Sequence, residues 1–114
     1  MNIEVFRDYC LSKKGVTESF PFDNKTLVFK VGGKMFALAD VEEFSFANLK
    51  CTPEKAIELR ETYTGIKPGY HMNKTHWNSI MVNEDVPSNL FLELVDLSYV
   101  LIVESLPKKL RDEL

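Results

Sequence analysis

A pair of glycines between two strand-like segments constrains this fold more than any other feature of the chain. In residues 26–31, Leu27, Phe29 and Val31 occupy alternate positions, which is the pattern of a strand with one face in a core. The largely apolar segment 34–39 follows, and the intervening Gly32-Gly33 pair can adopt the positive φ angles of a two-residue hairpin turn. The sequence therefore predicts an antiparallel β-hairpin.

Helix signals on both sides of this hairpin extend the element order. Asn2 and Thr52 are favourable N-cap residues, and Pro53 suits the first turn of a helix. Residues 16–24 contain a proline and an Asp-Asn pair, so we expect a loop with a short extended piece there. In chain order the sequence predicts a helix over about 2–13, strands over 26–31, 34–39 and 44–50, a helix over about 53–63, extended segments over 66–72 and 76–82, and a helix over about 87–106.

The order α-β-β-β-α-β-β-α predicts a two-layer α+β fold, with one antiparallel sheet and helices packed on it. We expect a single domain over residues 1–114. In the third strand, Phe44 and Phe46 are expected to share the face opposite Ala47 and Leu49. The C-terminal residues 108–114 are expected to add at most one helical turn.

Charge and cysteine usage narrow the range of functions. The chain carries a net charge of -3, whereas nucleic-acid-binding domains usually carry a basic excess, so a DNA-binding surface would be a local patch. Cys10 and Cys51 form neither a CxxC motif nor a Cys/His cluster, and we expect two small buried residues. The sequence contains no apolar run of roughly 18 residues and no signal-peptide pattern. We expect a cytoplasmic monomer without membrane association.

No motif in the sequence predicts catalysis or metal binding. His71 and His76 are the only histidines, and their spacing places them on opposite faces of a strand, without an HExxH pattern. The chain has no GxSxG pattern, and the Gly32-Gly33 pair is not followed by the helix of a phosphate-binding loop. We therefore expect no enzyme activity, no metal and no cofactor.

One polar and aromatic segment, residues 69–78, differs from ordinary loop composition. It concentrates the tryptophan, a tyrosine, both histidines, two asparagines and a lysine: Tyr70, His71, Asn73, Lys74, His76, Trp77 and Asn78. Side chains of these types can stack on bases and bind phosphates. The alternative is that Tyr70 and Trp77 anchor the loop to the core while the polar groups cap it.

The same segment carries a resemblance to a known family. Residues 68–78 (PGYHMNKTHWN) and 26–38 (TLVFKVGGKMFAL) resemble the MmcQ/YjbR family, and matches at 9–12 and 106–110 extend the resemblance over essentially the whole chain. The resemblance implies a bacterial cytoplasmic protein whose fold is similar to frataxin-like and secretion-chaperone-like domains. It also implies DNA binding by β-hairpins that act as a double wing.

Three functions follow as hypotheses. In the first, DNA phosphates contact Lys30 and Lys34 near the hairpin turn, together with Lys50 and the segment 69–78. In the second, a protein or peptide partner binds an exposed face or edge of the sheet. Its support is that one small sheet face does not need all of Phe20, Phe22, Phe44 and Phe46, whose alternative role is in the core. In the third, a small molecule or substrate binds among the aromatic and histidine side chains of the same segment. DNA is the leading expectation, and a protein partner is the alternative.

Overall fold

Six antiparallel strands form one sheet, and the long helices pack against one side of it. The computed structural model describes residues 1–114. Its elements are α1 (Ile3–Leu11), β1 (Val16–Ser19), β2 (Thr26–Val31), β3 (Lys34–Asp40), β4 (Phe46–Lys50), α2 (Pro53–Thr62), β5 (Ile66–Pro68), β6 (Trp77–Met81), α3 (Ser88–Ser105) and α4 (Lys108–Asp112). The strands lie in the order β1-β2-β3-β4-β6-β5, and all neighbours are antiparallel.

The main core lies between the sheet and the helices. Leu27, Phe29 and Val31 of β2 all belong to this core, as their alternation predicted. The Phe6 ring of α1 meets the rings of Phe29 and Phe91 edge-on, with centroids 5.9 Å apart in both cases. Phe6 therefore joins the sheet to α3, which carries Phe91.

The α+β class is confirmed, and two segments that the predicted element order left out as separate elements prove to be β1 and α4. β1 is the short extended piece expected within residues 16–24, and Val16–Ser19 pairs with the free edge of β2 before Pro21. The Arg7 side chain of α1 donates to Glu18 of β1 at 2.7 Å, which ties this edge strand to the helix. α4 (Lys108–Asp112) adds a short helix after α3. A four-residue strand carries too little periodicity to be recognised without its partner strand.

A register shift between β2 and β3 alters which residues reach the core. The pairing slips after Phe29, which leaves Phe36 as the extra residue of a β-bulge, and Phe36 is fully buried. The Ser98 hydroxyl of α3 donates to the Phe36 carbonyl at 2.5 Å and accepts the Lys50 N–H at 2.9 Å. One buried hydroxyl thus bridges β3 and β4 where direct pairing between them ends.

Phe44 does not share a face with Phe46, contrary to the prediction. β4 begins at Phe46, and Phe44 lies in the preceding turn with a φ of 44°. The Phe44 ring packs in the main core, 5.4 Å from the Phe6 ring between centroids, whereas Phe46 contacts Tyr70. The turn conformation, and not strand alternation, therefore decides the direction of Phe44.

The predicted N-caps of the first two helices are confirmed. Asn2 Oδ1 accepts the Val5 N–H at 2.8 Å, and Thr52 Oγ1 accepts the Lys55 N–H at 3.4 Å. None of the helices combines the length and the apolarity that a membrane span requires.

Candidate functional site

The face of the sheet opposite the helices carries a second, smaller apolar cluster. Three buried residues form it, with two methionines packed around them: Val28, Leu38, Trp77, Met35 and Met72. Met72 belongs to residues 69–76, which follow the short β5 strand (Ile66–Pro68) where a longer extended segment was predicted. We call residues 69–76 the covering segment, because Met72 packs on this helix-free face of the sheet.

Hydrogen bonds from β4 and β6 hold Tyr70 of the covering segment in place. Asn48 Nδ2 donates to the Tyr70 carbonyl at 3.0 Å, and the Tyr70 N–H donates to Ser79 Oγ at 2.9 Å. Ser79 Oγ donates in turn to Asn48 Oδ1 at 2.5 Å. Asn48 and Ser79 are both buried. Because both backbone polar groups of Tyr70 are tied to the sheet, the backbone from which its side chain projects is held in place.

Tyr70 forms part of the wall of a concavity on the helix-free face. The concavity has a volume of about 550 Å³, within the range of ligand pockets. The Phe46 and Tyr70 rings meet edge to face in it, with centroids 5.8 Å apart. Tyr70 is 58% exposed and Phe22 is 66% exposed, so two large rings of the lining face solvent. The lining residues are Phe22, Asp23, Thr26, Met35, Leu38, Ala39, Asp40, Glu43, Ser45, Phe46, Asn48, Tyr70, His71 and Met72.

His71 adds a second ring beside Tyr70, in an unfavourable backbone conformation. Its φ of 58° lies in the left-handed region, which costs an L residue about 1 kcal/mol. The His71 and Tyr70 ring centroids are 4.0 Å apart, and His71 lines the concavity. Residues held in such conformations cluster at binding sites, because the surrounding structure must compensate for the strain.

Three residues with carboxylates, Asp23, Asp40 and Glu43, line the concavity where β2 begins and β3 ends. Asp40 pairs with Thr26 across β3 and β2, and the Thr26 hydroxyl donates to Asp23 Oδ2 at 3.2 Å. The Glu43 N–H donates to Asp40 Oδ1 at 3.1 Å. The backbone N–H groups of Thr26 and Lys25 hold the pKa of Asp23 below its ordinary value, so this carboxyl stays ionised at neutral pH. No lysine or arginine lines the concavity.

The polar residues of the covering segment that sequence analysis singled out mainly support the segment itself. Asn73 Oδ1 accepts the N–H groups of Thr75 and His76 in an Asx turn. The Lys74 ammonium donates to the Gly69 carbonyl at 2.8 Å. His76 is exposed at the end of the segment. The structure therefore uses Asn73 and Lys74 to hold a loop, as in the alternative interpretation of this segment.

Arg60 of α2 completes this support, and sequence analysis did not single it out. Its guanidinium donates to Asn78 Oδ1 at 2.7 Å, to the Trp77 carbonyl at 3.3 Å and to the Lys74 carbonyl. Asn78 is buried and also donates to the Ala56 carbonyl at 3.3 Å. Trp77 and Asn78 thus lie inside the protein. No sequence signal links Arg60 to these partners, because they lie at least 14 residues away along the chain.

Two of the predicted phosphate-binding lysines lie on the helix-free face. Lys30 lies two residues after Val28 on β2, so the two side chains share a face. Lys50 pairs with Trp77 between β4 and β6, so both lysines flank the smaller apolar cluster. Lys34 is exposed immediately after the Gly-Gly turn. None of these lysines lines the concavity. The helix-free face therefore has an acidic end and a separate basic end.

A second concavity of about 730 Å³ lies beside α1, β1 and β2, and it contains none of the predicted site residues. Arg7 and Glu18 both line it and form an ion pair at 2.5 Å. The guanidinium of Arg7, the only cationic side chain of this lining, is therefore already paired with the Glu18 carboxylate. The concavity on the helix-free face is therefore the stronger candidate site.

The two thiols lie apart from this site, and the side chains of the protein form no metal site. Burial raises the pKa of Cys10 to about 12, and burial also raises the pKa of Cys51. Neither thiol lines the concavity. The structure brings together no group of three or more His, Cys, Asp or Glu side chains that could hold a metal ion.

Comparison with known proteins confirms the family resemblance. The family model described as YjbR matches residues 11–101. The uncharacterized protein YbdF of Escherichia coli O157:H7 is 41% identical over 91 residues, which cover 79% of this chain and 75% of that protein. The uncharacterized protein YjbR of Escherichia coli K12 is 34% identical over 112 residues, which cover 97% of this chain and 95% of that protein.

Solved structures agree with this assignment. A Deinococcus radiodurans crystal structure with a DUF419 domain superposes with a TM-score of 0.91 at 38% identity, covering 98% of this chain and 86% of that one. A Pseudomonas syringae protein superposes with a TM-score of 0.74 at 28% identity, covering 89% of this chain and 98% of that one. On the family match and the similarity of its relatives, this chain belongs to the YjbR family.

Proposed function

We propose that this chain is a non-catalytic peptide-binding module whose peptide occupies the concavity on the helix-free face. The observation that carries the proposal is the pair of exposed rings, Phe22 and Tyr70, in a concavity of whose 14 lining residues 7 are hydrophobic. Exposed aromatic residues are enriched among the residues that dominate binding energy in protein interfaces. The Asn48 and Ser79 hydrogen bonds preorganise Tyr70, which lowers the entropic cost of binding.

The polar chemistry of the concavity favours a peptide over a small polar metabolite. Metabolite sites usually converge several directional hydrogen-bonding groups on the ligand. Here the Asn48 side chain already bonds Ser79 and the Tyr70 backbone. What a ligand meets is ring faces, the adaptable thioether groups of Met35 and Met72, and negative charge. These features suit the side chains of a partner segment.

A binding role also agrees with the state of the two nucleophilic side chains. A thiol reacts as its thiolate, and burial raises the pKa of both Cys10 and Cys51. The lining of the concavity contains His71 and three carboxylates but no cysteine or lysine.

The test is selection of a random dodecapeptide library on phage against the wild-type protein. A synthetic copy of an enriched peptide should bind about 30-fold more weakly to Phe22→Ala/Tyr70→Ala, because two exposed rings at a binding site are lost. Ile57→Ala is the matched control, since Ile57 is an exposed apolar residue on α2. Equal losses in the double variant and the control, or no enrichment at all, would overturn the proposal.

His71→Gly separates binding from stability. Glycine adopts a φ of 58° without strain, so this variant should unfold at the same or a slightly higher urea concentration than wild type. It should nevertheless bind the selected peptide more weakly, because one ring of the wall is gone. Unchanged peptide affinity in His71→Gly would remove His71 from the site.

DNA binding at the basic end of the helix-free face is the second candidate. The observation in its favour is that Lys30 and Lys50 share this face, with Lys34 exposed at the hairpin turn. Lys74 contributes little to such a surface, because its ammonium already donates to a backbone carbonyl of the covering segment. Displacement of counterions from phosphates by these lysines would make the affinity fall with salt.

Fluorescence anisotropy with a mixed double-stranded DNA pool tests this candidate. Lys30→Ala/Lys34→Ala/Lys50→Ala should weaken binding more than a control triple variant, Lys25→Ala/Lys55→Ala/Lys109→Ala, which loses the same charge elsewhere. Equal weakening in the two triple variants would mean that only net charge matters. Absence of binding at low salt would eliminate the candidate for this chain.

A further inference from the structure

The end of the concavity formed by Asp23, Asp40 and Glu43 carries negative charge that no ion pair of the structure neutralises, although the charge of Lys25 acts weakly on Asp23. None of these three carboxylates belongs to an ion pair of the structure. The nearest lysine along the chain, Lys25, pairs at 3.5 Å with Glu42, which lies outside the concavity. The acidic end is therefore open to a cation supplied by a ligand.

The carboxylates are held in place by the turns that carry them. Asp40 Oδ1 accepts the N–H of Glu42 at 2.8 Å and that of Glu43 at 3.1 Å, and Asp23 Oδ1 accepts the Thr26 N–H at 2.6 Å. Each aspartate retains a further oxygen or lone pair for a ligand, because a carboxylate accepts about four hydrogen bonds. Glu43 is exposed and its side chain makes no hydrogen bond within the protein.

Aromatic rings line the same concavity as these carboxylates. Phe22 precedes Asp23 in the chain, and Phe46 follows Glu43 by three residues. Ring faces attract ammonium and guanidinium groups, and they also pack against the aliphatic stems that carry such groups. Carboxylates and aromatic rings together complement one class of side chain, a cation on an apolar stem.

We infer that the peptide bound in the concavity presents a lysine or arginine side chain, with its stem against the aromatic wall and its cation at the acidic end. This inference rests on the proposed function and adds the chemistry of the partner. The same charge repels phosphate, so the concavity and the basic end of the face select different ligands.

Three probes that share one phenylbutyl stem test the inference without a known peptide: 4-phenylbutylammonium, 4-phenylbutanol and 5-phenylpentanoate. Binding is followed by chemical-shift changes of backbone amides in ¹H–¹⁵N spectra. We expect the ammonium probe to bind about tenfold more tightly than the alcohol, through partly screened attraction to the carboxylates. The carboxylate probe should bind most weakly. The shifts should centre on Phe22, Phe46 and Tyr70.

Charge-removing variants identify the groups responsible. Glu43→Gln and Asp40→Asn should each reduce the preference for ammonium over alcohol about two- to fivefold, and asparagine at 40 keeps an acceptor for the turn. Glu42→Gln is the matched control, because it removes the same charge from the neighbouring residue, which lies outside the concavity. A preference that is unchanged in Glu43→Gln and Asp40→Asn would overturn the assignment of these carboxylates.

The outcomes separate this inference from the proposed function. Equal binding of ammonium and alcohol would overturn the cation preference and leave an apolar peptide site in place. Binding of none of the probes, or tightest binding of the carboxylate, would also overturn the inference. The proposed function would then stand or fall on the peptide selection and on the Phe22→Ala/Tyr70→Ala comparison.

Discussion

Ser79→Ala is the sharpest test of how the covering segment is held on the sheet. The Ser79 hydroxyl accepts the Tyr70 N–H at 2.9 Å and donates to Asn48 Oδ1 at 2.5 Å. Removing the hydroxyl leaves the Tyr70 N–H and Asn48 Oδ1 without this partner. An unsatisfied polar atom in a buried network lowers the free energy of unfolding by about 1–3 kcal/mol. Because the segment can relax toward water, we expect the free energy of unfolding to fall by about 2–4 kcal/mol. Urea unfolding should show a lower midpoint with an unchanged slope.

Ser98→Ala provides a matched comparison in the same protein. Ser98 is also buried, and its hydroxyl also bridges two groups, the Phe36 carbonyl and the Lys50 N–H. We expect a similar loss of global stability from this variant. Hydrogen exchange at the Tyr70 amide should distinguish the two, because only Ser79→Ala removes the acceptor of that amide.

Two results would refute this account of the anchor. The first is a loss of less than about 0.5 kcal/mol in Ser79→Ala, since that is the range of ordinary surface substitutions. The second is equal protection of the Tyr70 amide in Ser79→Ala and Ser98→Ala. Either result would mean that the Asn48–Ser79 network does not hold the backbone of Tyr70.

Three further predictions concern thiols, acid and the arginine anchor. Burial raises the pKa of Cys10 to about 12 and also raises the pKa of Cys51. A disulfide-exchange reagent at pH 8 should therefore label neither thiol until the protein is unfolded. Rapid labelling of the native protein would contradict the structure. The backbone N–H groups of Gly65 and Thr64, between α2 and β5, hold the pKa of Asp85 below its ordinary value of 3.8. The ionised carboxylate therefore stabilises the folded state above pH 3.8, and this contribution is lost as the pH falls below that value. Asp85→Asn should therefore lose less stability than wild type between pH 6 and about pH 3 in urea titrations, and identical acid profiles would contradict this. Arg60→Ala should lower the free energy of unfolding by about 2–3 kcal/mol because three acceptors lose their donor, whereas Arg111→Ala on exposed α4 should change it by less than about 0.5 kcal/mol.

Local signals were sufficient for the helices, the central hairpin and the family. Asn2 and Thr52 cap helices in the structure as their residue types predict. The alternation of β2 assigns Leu27, Phe29 and Val31 to the main core. A helix cap or the alternation of a strand involves residues within a few positions of one another. The local conformation that these residues favour can therefore be predicted from the sequence.

The candidate site was predictable only in part. Tyr70 and His71 were singled out by their composition and do line the concavity. Trp77 and Asn78 were singled out by the same composition, yet both are buried. Residue types show that a segment is unusual, but they do not show which of its side chains face inward. Sequence analysis counted Phe22 among four phenylalanines that favoured a protein partner, but it did not place Phe22 beside Tyr70, and Phe22 is the more exposed of these two rings.

The sequence by itself determined the α+β class, the principal helices, the Gly-Gly hairpin and membership of the family. Tertiary structure alone decided that β1 pairs along the sheet edge and that Arg60 supports the covering segment. It also decided that Asp23, Asp40 and Glu43 line the same concavity. The physical reason is that these arrangements depend on strand register and on contacts between residues far apart in the chain. Such contacts form only when burial of the whole core compensates the entropy of bringing distant segments together.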